Sequence, residues 1–288
     1  MSIINNTTIN TVASENTTDT FVLTSDNYYS NEANEKYLSN SLFKSVYGHP
    51  AHPHPCEAAA LLSEKTETEA LIVGSYVDAY FEGKDAFEKW KEDNANKIMQ
   101  KTGKKPYKFI TDADLAIARV TRDTVFMKYM DGDHQTIMTG TIADHPFKIK
   151  MDAYHVDEMI VDLKYVKGVD SGYNETLKKK VTFIEDYGYF LQGAIYQEIV
   201  YQNTGKRLPF YIAYITKEDI PDFGVVELPQ DKLDEALEFV KINLTAKPYP
   251  LIKANPHACG KRSCKYCRDQ KILTGAISYI DFEKLATS

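Results

Sequence analysis

The sequence contains no apolar run of the roughly 20 residues that a membrane-spanning helix requires, so a helical membrane protein is not expected. Its first twenty residues, MSIINNTTINTVASENTTDT, lack both the basic start and the apolar stretch of a secretory leader. They are rich in Asn, Thr and Ser, and a disordered tail over 1–20 is expected on a cytoplasmic protein. Basic charge is short as well: 34 Lys and Arg against 41 Asp and Glu leave a formal charge of −7. That disfavours a surface coated in basic charge, although carboxylates are what a cation site needs. The phosphate-cradling G-x-x-x-x-G-K-[ST] loop is missing, which excludes an ATP-driven motor of that kind. No internal repeat and no Gly/Pro linker divides residues 21–288, which read as one domain. Cysteine is scarce, at Cys56, Cys259, Cys264 and Cys267. In a cytosolic chain the close spacing of the last three favours metal or cluster binding over disulfides.

Within 21–288, residues 21–55 read as a turn-rich lead-in whose prolines at 48–55 rule out a long helix. From Cys56 the pattern turns helical. Thr68 is a natural N-cap for a helix in which Ala70, Leu71, Val73, Val77, Ala79 and Tyr80 face a core. Further helices are expected over 84–100 and 111–129. Residues 134–144, 146–156 and 158–166 are β-branched and partly alternating, and read as three strands. A long helix over 180–203, a strand over 208–216 and a helix over 230–243 follow. Helices, then strands, then helix and strand predict an α/β domain with a mixed central sheet flanked by helices, with extra N-terminal helices and a C-terminal cysteine segment at 256–270. Lysines gather at Lys101, Lys104, Lys105 and Lys108, and at Lys178, Lys179 and Lys180, and read as solvated faces.

The chemistry concentrates in the second and third expected strands. Asp162 and Lys164 are two apart, so alternation puts them on one face. Asp152 lies on the neighbouring antiparallel strand, within cross-strand reach. An Asp-x-Lys inside MIVDLKYV is costly unless it has a partner or a purpose. Two carboxylates offer hard oxygen ligands to Mg²⁺ or Mn²⁺, and the lysine can orient a water or meet developing charge. That chemistry suits phosphodiester hydrolysis. By itself the pattern is also compatible with a charged strand face.

KIKMDAYH followed by MIVDLKYV resembles the PD-(D/E)XK nuclease superfamily, in its RecB-like and RecE-like branch. That family carries G-x-x-x-(H/E/D) on a helix before the strands, and Gly74 and Asp78 match it. It also carries Q-x-x-x-Y on the helix after the D-x-K strand, and Gln192 and Tyr196 match that. NYYSNEANEKYLSNSLFKSV, CEAAALL and CKYCRDQK further resemble phage-encoded exonucleases of the RecE-like kind. The resemblance implies a restriction-endonuclease-like core. It implies a Mg²⁺- or Mn²⁺-dependent DNA exonuclease that digests one strand of a duplex from its end, 5′ to 3′, in phage-type recombination. It places metal on Asp78, Asp152, Asp162 and the Leu163 backbone carbonyl, the reaction on Asp152, Asp162 and Lys164, and DNA contacts on Gln192 and Tyr196. It implies a single-strand annealing protein as partner, the host cytoplasm as location, and a homo-oligomer that encircles DNA; the alternatives are a non-catalytic DNA-end-binding protein of the same fold and a zinc- or cluster-dependent interaction module.

Cys259-x4-Cys264-x2-Cys267 with the distant Cys56 also resembles the iron–sulfur nucleases of the superfamily, which implies a [4Fe–4S] cluster tying the chain ends together. The spacing departs from the pattern of those branches. Zinc, with His257 as an alternative ligand, and unliganded thiols remain open. The histidines at 49, 52 and 54 read as exposed imidazoles on a loop, and His155 as a neighbour of the acidic strand.

Overall fold

The computed structural model describes residues 21–288 apart from positions 65, 102, 104, 274 and 288. The expected disordered tail and Lys104 lie outside the described residues. The lead-in holds two short helices, α1 (Asn31–Lys36) and α2 (Asn40–Tyr47). Ser30 and Ser39 start them by accepting the Ala33 and Leu42 N–H groups, a capping signal that sequence analysis passed over. After α3 (Glu57–Leu62), Thr68 caps α4 (Glu69–Glu82) as expected. Val73, Val77 and Ala79 are buried in α4 as predicted and Tyr80 is half-buried, but Ala70 and Leu71 are exposed and Tyr76 and Phe81 turn inward.

Next come α5 (Lys84–Asp93), α6 (Lys108–Val120) and α7 (Thr124–Met130). The single helix expected over 111–129 is broken because the Asp123 carboxylate accepts the N–H groups of Val125 and Phe126 and starts a new helix. Strands β1 (Thr136–Ile142) and β2 (His145–Met151) form an antiparallel ribbon. The strand expected over 146–156 divides at Asp152, and β3 (Ala153–His155) belongs to the main sheet with β4 (Met159–Val166). The helix expected over 180–203 is α8 (Tyr189–Thr204). Its start is fixed by Gly188 at φ +66°, and residues 179–181 pair with 172–174 instead. Strand β5 (Phe210–Thr216) runs parallel to β4, and β6 (Phe223–Glu227), which the sequence analysis missed, pairs antiparallel with β5. α9 (Gln230–Ala246) follows.

The main sheet has the order β6-β5-β4-β3 and is mixed. Both faces are covered. Ile160, Phe210 and Ile212 pack against Leu191, Ile195 and Ile199 of α8 and Leu237 of α9. Val161, Leu163, Ala213 and Ile215 pack against Val73 and Val77 of α4, Ile117 of α6 and Phe126 of α7. Burial on both faces explains why β4 and β5 read as nearly unbroken apolar runs. It also makes the charged Asp162 and Lys164 conspicuous.

Candidate active site

The site forms where the sheet opens. The β3–β4 ladder ends at Ala153↔Val161, and the chain bends at Asp152. Continued by one residue, the register would set Asp152 opposite Asp162. Instead the Asp152 carboxylate accepts the Leu163 N–H at 2.8 Å, replacing a backbone acceptor. His134 Nδ1–H donates to the Asp152 carbonyl at 2.8 Å and holds the bend. The Ile160 N–H donates to Pro209 on the β5 side, so even-numbered residues of β4 point their backbone that way. Leu163 therefore aims both its N–H and its carbonyl into the gap where β3 has ended.

Asp162 and Lys164 share one face, and the Lys164 ammonium pairs with Asp162 Oδ2. Apart from that ammonium, Oδ2 has no hydrogen-bond partner among the described residues although it is buried. Gln192 Nε2 donates to Asp162 Oδ1. Asp78 reaches the same place from α4, close enough to feel Asp152, Lys164, Asp162 and Glu82. The structure thus brings together all four predicted chemical side chains: Asp78, Asp152, Asp162 and Lys164.

Electrostatics follow from the crowding. Burial, then Asp152, pushes the Asp78 carboxyl far up. Burial also raises Asp152, against the Lys164 ammonium and the Leu163 N–H that favour its charge. Asp162 is pushed up to about 7, by burial first, with Lys164 opposing and Asp152 adding. Burial alone would pull Lys164 down, but Asp162 and Asp152 outweigh it and keep it an ammonium. Buried like charges resist ionising together unless a cation is shared among them. The donor set is all oxygen and the crowded carboxylates lack enough positive charge, so the residues fit a hard divalent ion.

Gln192 and Tyr196 do not lie on an open surface. Both are buried, at 7% and 8% exposure, and Tyr196 donates its hydroxyl to the Lys150 carbonyl at 3.1 Å. Gln192 holds Asp162, and Tyr196 holds the ribbon strand β2 that leads into Asp152.

Sequence reading missed four neighbours. Glu82 is one turn beyond Asp78 on α4, and its carboxylate pushes Asp78 and Asp152 further up. Its i, i+4 spacing was the available signal. Lys44 of α2 donates to the Tyr187 carbonyl at 2.8 Å, and burial followed by Lys164 lowers it to about 8. Lys150 helps to favour the Asp152 carboxylate, and the Lys164 ammonium lies 5.2 Å from the Tyr189 ring centre. Lys150 lies two residues before Asp152 and Tyr189 three before Gln192, whereas no sequence spacing relates Lys44 to the motif.

The expected solvated lysines are tied locally, Lys108 to Asp112, Lys178 to Glu175 and Lys179 to Glu185. His49 corrects its expected exposure. It is buried, edge-on to His52, which in turn meets Asp186 at 3.2 Å. His155 donates from Nε2 to the Tyr129 carbonyl at 2.9 Å and anchors the end of α7.

Away from this site, Cys56, Cys259, Cys264 and Cys267 converge, with all four Sγ atoms within 4.8 Å of one another. His257 contributes backbone rather than an imidazole there: its carbonyl accepts the Ala58 N–H, and its N–H donates to Glu57.

A family model described as a PDDEXK-like domain of unknown function (DUF3799) matches residues 39–270. The chain belongs to this family. The match spans every candidate residue from Cys56 to Cys267. A solved structure from Eubacterium rectale, described as a candidate exonuclease, is 39% identical, covering 91% of this chain and 98% of its own, with a TM-score of 0.82. The structure SSO0001 is 12% identical over 73% of this chain and 93% of its own, with a TM-score of 0.28, too distant to bear on the argument. No curated protein matches the chain. Membership and the 0.82 neighbour agree with the α/β nuclease-like core expected from the sequence.

Proposed function

We propose that this family member is a divalent-metal-dependent DNA nuclease that digests duplex DNA from its ends. The observation carrying the reading is the convergence of Asp78, Asp152, Asp162, Lys164 and the Leu163 carbonyl at the point where the sheet opens. Asp152, Asp162 and the Leu163 carbonyl would hold Mg²⁺ or Mn²⁺, with Asp78 as the third carboxylate. When bound, the ion would neutralise charge on the scissile phosphate and make a bound water more acidic. Lys164 is held as an ammonium, so it orients the attacking water and meets negative charge rather than taking a proton. Gln192 fixes the orientation of Asp162 and leaves Oδ2 turned toward Lys164 and the gap.

The finer reading rests on the resemblance and on the description of the Eubacterium rectale protein as a candidate exonuclease. In it, one domain over 21–288 digests 5′ to 3′ in the host cytoplasm, beside a single-strand annealing protein, as a homo-oligomer around DNA. Linear, nicked and closed circular DNA, labelled at each end in turn and incubated with Mg²⁺ or Mn²⁺, test it. Linear duplex should be degraded with early release of the 5′ label, and closed circles should survive. Asp162→Ala and Lys164→Ala should each lower cleavage at least about 100-fold while circular dichroism still reports a folded chain. Full activity in either variant would sink the assignment.

A further inference from the structure

Four thiols meet at a distance from the carboxylate site, and their spacing distinguishes two kinds of metal centre. Cys56 Sγ lies 3.7 Å from Cys267 Sγ, Cys259 Sγ lies 3.8 Å from Cys267 Sγ, and all four sulfurs fall within 4.8 Å of one another. Four thiolates on one tetrahedral zinc, each about 2.3 Å from the metal, stand about 3.8 Å apart. Four thiolates at the corners of a [4Fe–4S] cube stand more than about 6 Å apart, because the cube itself fills the space between them. The sulfurs of this chain are too close for the cube and correctly placed for a single ion.

The backbone is arranged for thiolates too. The N–H groups of Ala59 and Cys259 both point at Cys56 Sγ, at 3.4 Å each. Gly260, at φ +67°, turns the chain just after Cys259, and its N–H points at Cys267 Sγ. Cys264 precedes the short helix α10 (Lys265–Asp269), which sets Cys267 one turn further on. Cys56 precedes α3 and caps it through its sulfur, which accepts the Ala59 N–H; Cys264 holds the same position before α10 without such a bond. The Ala58 N–H bond to the His257 carbonyl, at 3.1 Å, and the His257 N–H bond to Glu57, at 2.9 Å, lay the C-terminal segment along α3.

The geometry points to a structural Zn²⁺ site made of Cys56, Cys259, Cys264 and Cys267, holding the C-terminal segment to α3, in place of the iron–sulfur cluster implied by resemblance. Four thiolates satisfy zinc completely and leave no position open for substrate, so the site is structural.

The test is metal analysis of the full chain purified without oxygen from medium containing both iron and zinc. The expected result is one zinc per chain, no acid-labile sulfide and no brown colour. Replacement with Co²⁺ should give the intense visible bands of tetrahedral cobalt thiolate. Cys264→Ser should lose the zinc, whereas Asp162→Asn should keep it, which separates this site from the carboxylates. Should Cys264→Ser fail to fold, loss of the cobalt bands from the wild-type chain on thiol titration, four thiols per metal released, serves instead. Four irons with four sulfides per chain, a single iron, or a metal-free chain that gains no thermal stability from added Zn²⁺ would each overturn the proposal.

Discussion

Asp162 shows how little a residue decides by itself. In sequence it is one acid in an apolar strand. In the fold its Oδ1 takes the Gln192 amide, its Oδ2 meets Lys164, and burial lifts its carboxyl to about 7. Removing the amide should loosen that carboxylate without removing a ligand. Gln192→Ala is expected to raise the Mg²⁺ concentration giving half-maximal cleavage by about 10–100-fold, measured by metal titration of the nuclease assay. An unchanged titration would leave Gln192 a packing residue. Gly74 belongs to the motif but not to a tight contact: a Cβ there would meet nothing within 4 Å. Gly74→Ala should therefore stabilise α4 by about 0.5–1 kcal/mol in urea denaturation. A loss of DNA affinity alongside would place DNA against that open side of the helix. The Asp152, Asp162 and Lys164 trio was legible because strand alternation is rigid. Glu82 was equally available from its spacing, but nothing in the sequence says which face of α4 looks at β4.

At the scale of elements, turns decided what propensity did not. The sequence 180–203 has helical character throughout, yet α8 begins only at Tyr189. Gly188 is left-handed at φ +66°, and a Cβ there would stand 2.8 Å from the His49 ring. Gly188→Ala should cost roughly 1–3 kcal/mol, seen as a lower thermal midpoint. The same contact buries His49 and holds it at about 4, burial acting first, then Lys44 and His52, with Asp186 opposing. The unfolded chain takes up that proton near its ordinary 6.5, whereas the folded chain resists until about 4. This contribution to stability is full above pH 6.5 and is lost as pH falls from there to 4, on the order of 2–3 kcal/mol in all. Urea midpoints at pH 7 and pH 5 should show somewhat over half of that drop in the wild type and a smaller one in His49→Gln. Equal drops would assign the acid sensitivity elsewhere.

Across the whole molecule, one contact set closes a very long loop. Cys56 is 203 residues from Cys259 and 211 from Cys267. Joining them restricts the unfolded chain by a few kcal/mol, about 3 or more for so long a loop. Cys56→Ala is therefore expected to lower the thermal midpoint by several degrees and to abolish its dependence on added chelator. A midpoint equal to that of the wild type, still responsive to chelator, would show that the ends are held by something else. This closure runs parallel to the Ala58–His257 hydrogen bond, which docks the cysteine segment on α3, and to the Lys247–Glu57 ion pair, which ties the end of α9 to the same helix.

The sequence by itself determined the α/β class, the strand carrying Asp162-Leu163-Lys164, the Thr68 start of α4 and the close spacing of Cys259, Cys264 and Cys267. Each of these depends on local periodicity or on a capping side chain, and both act over a few residues. Only the tertiary structure decided that β3 stops at Ala153, that the Asp152 carboxylate then takes the Leu163 N–H, and that Gln192 and Tyr196 lie beneath the site rather than on its rim. It alone brought Lys44 and Glu82 to the carboxylates and set four sulfurs within 4.8 Å. Those outcomes depend on where strands end and on contacts between residues up to two hundred positions apart, which no local pattern encodes.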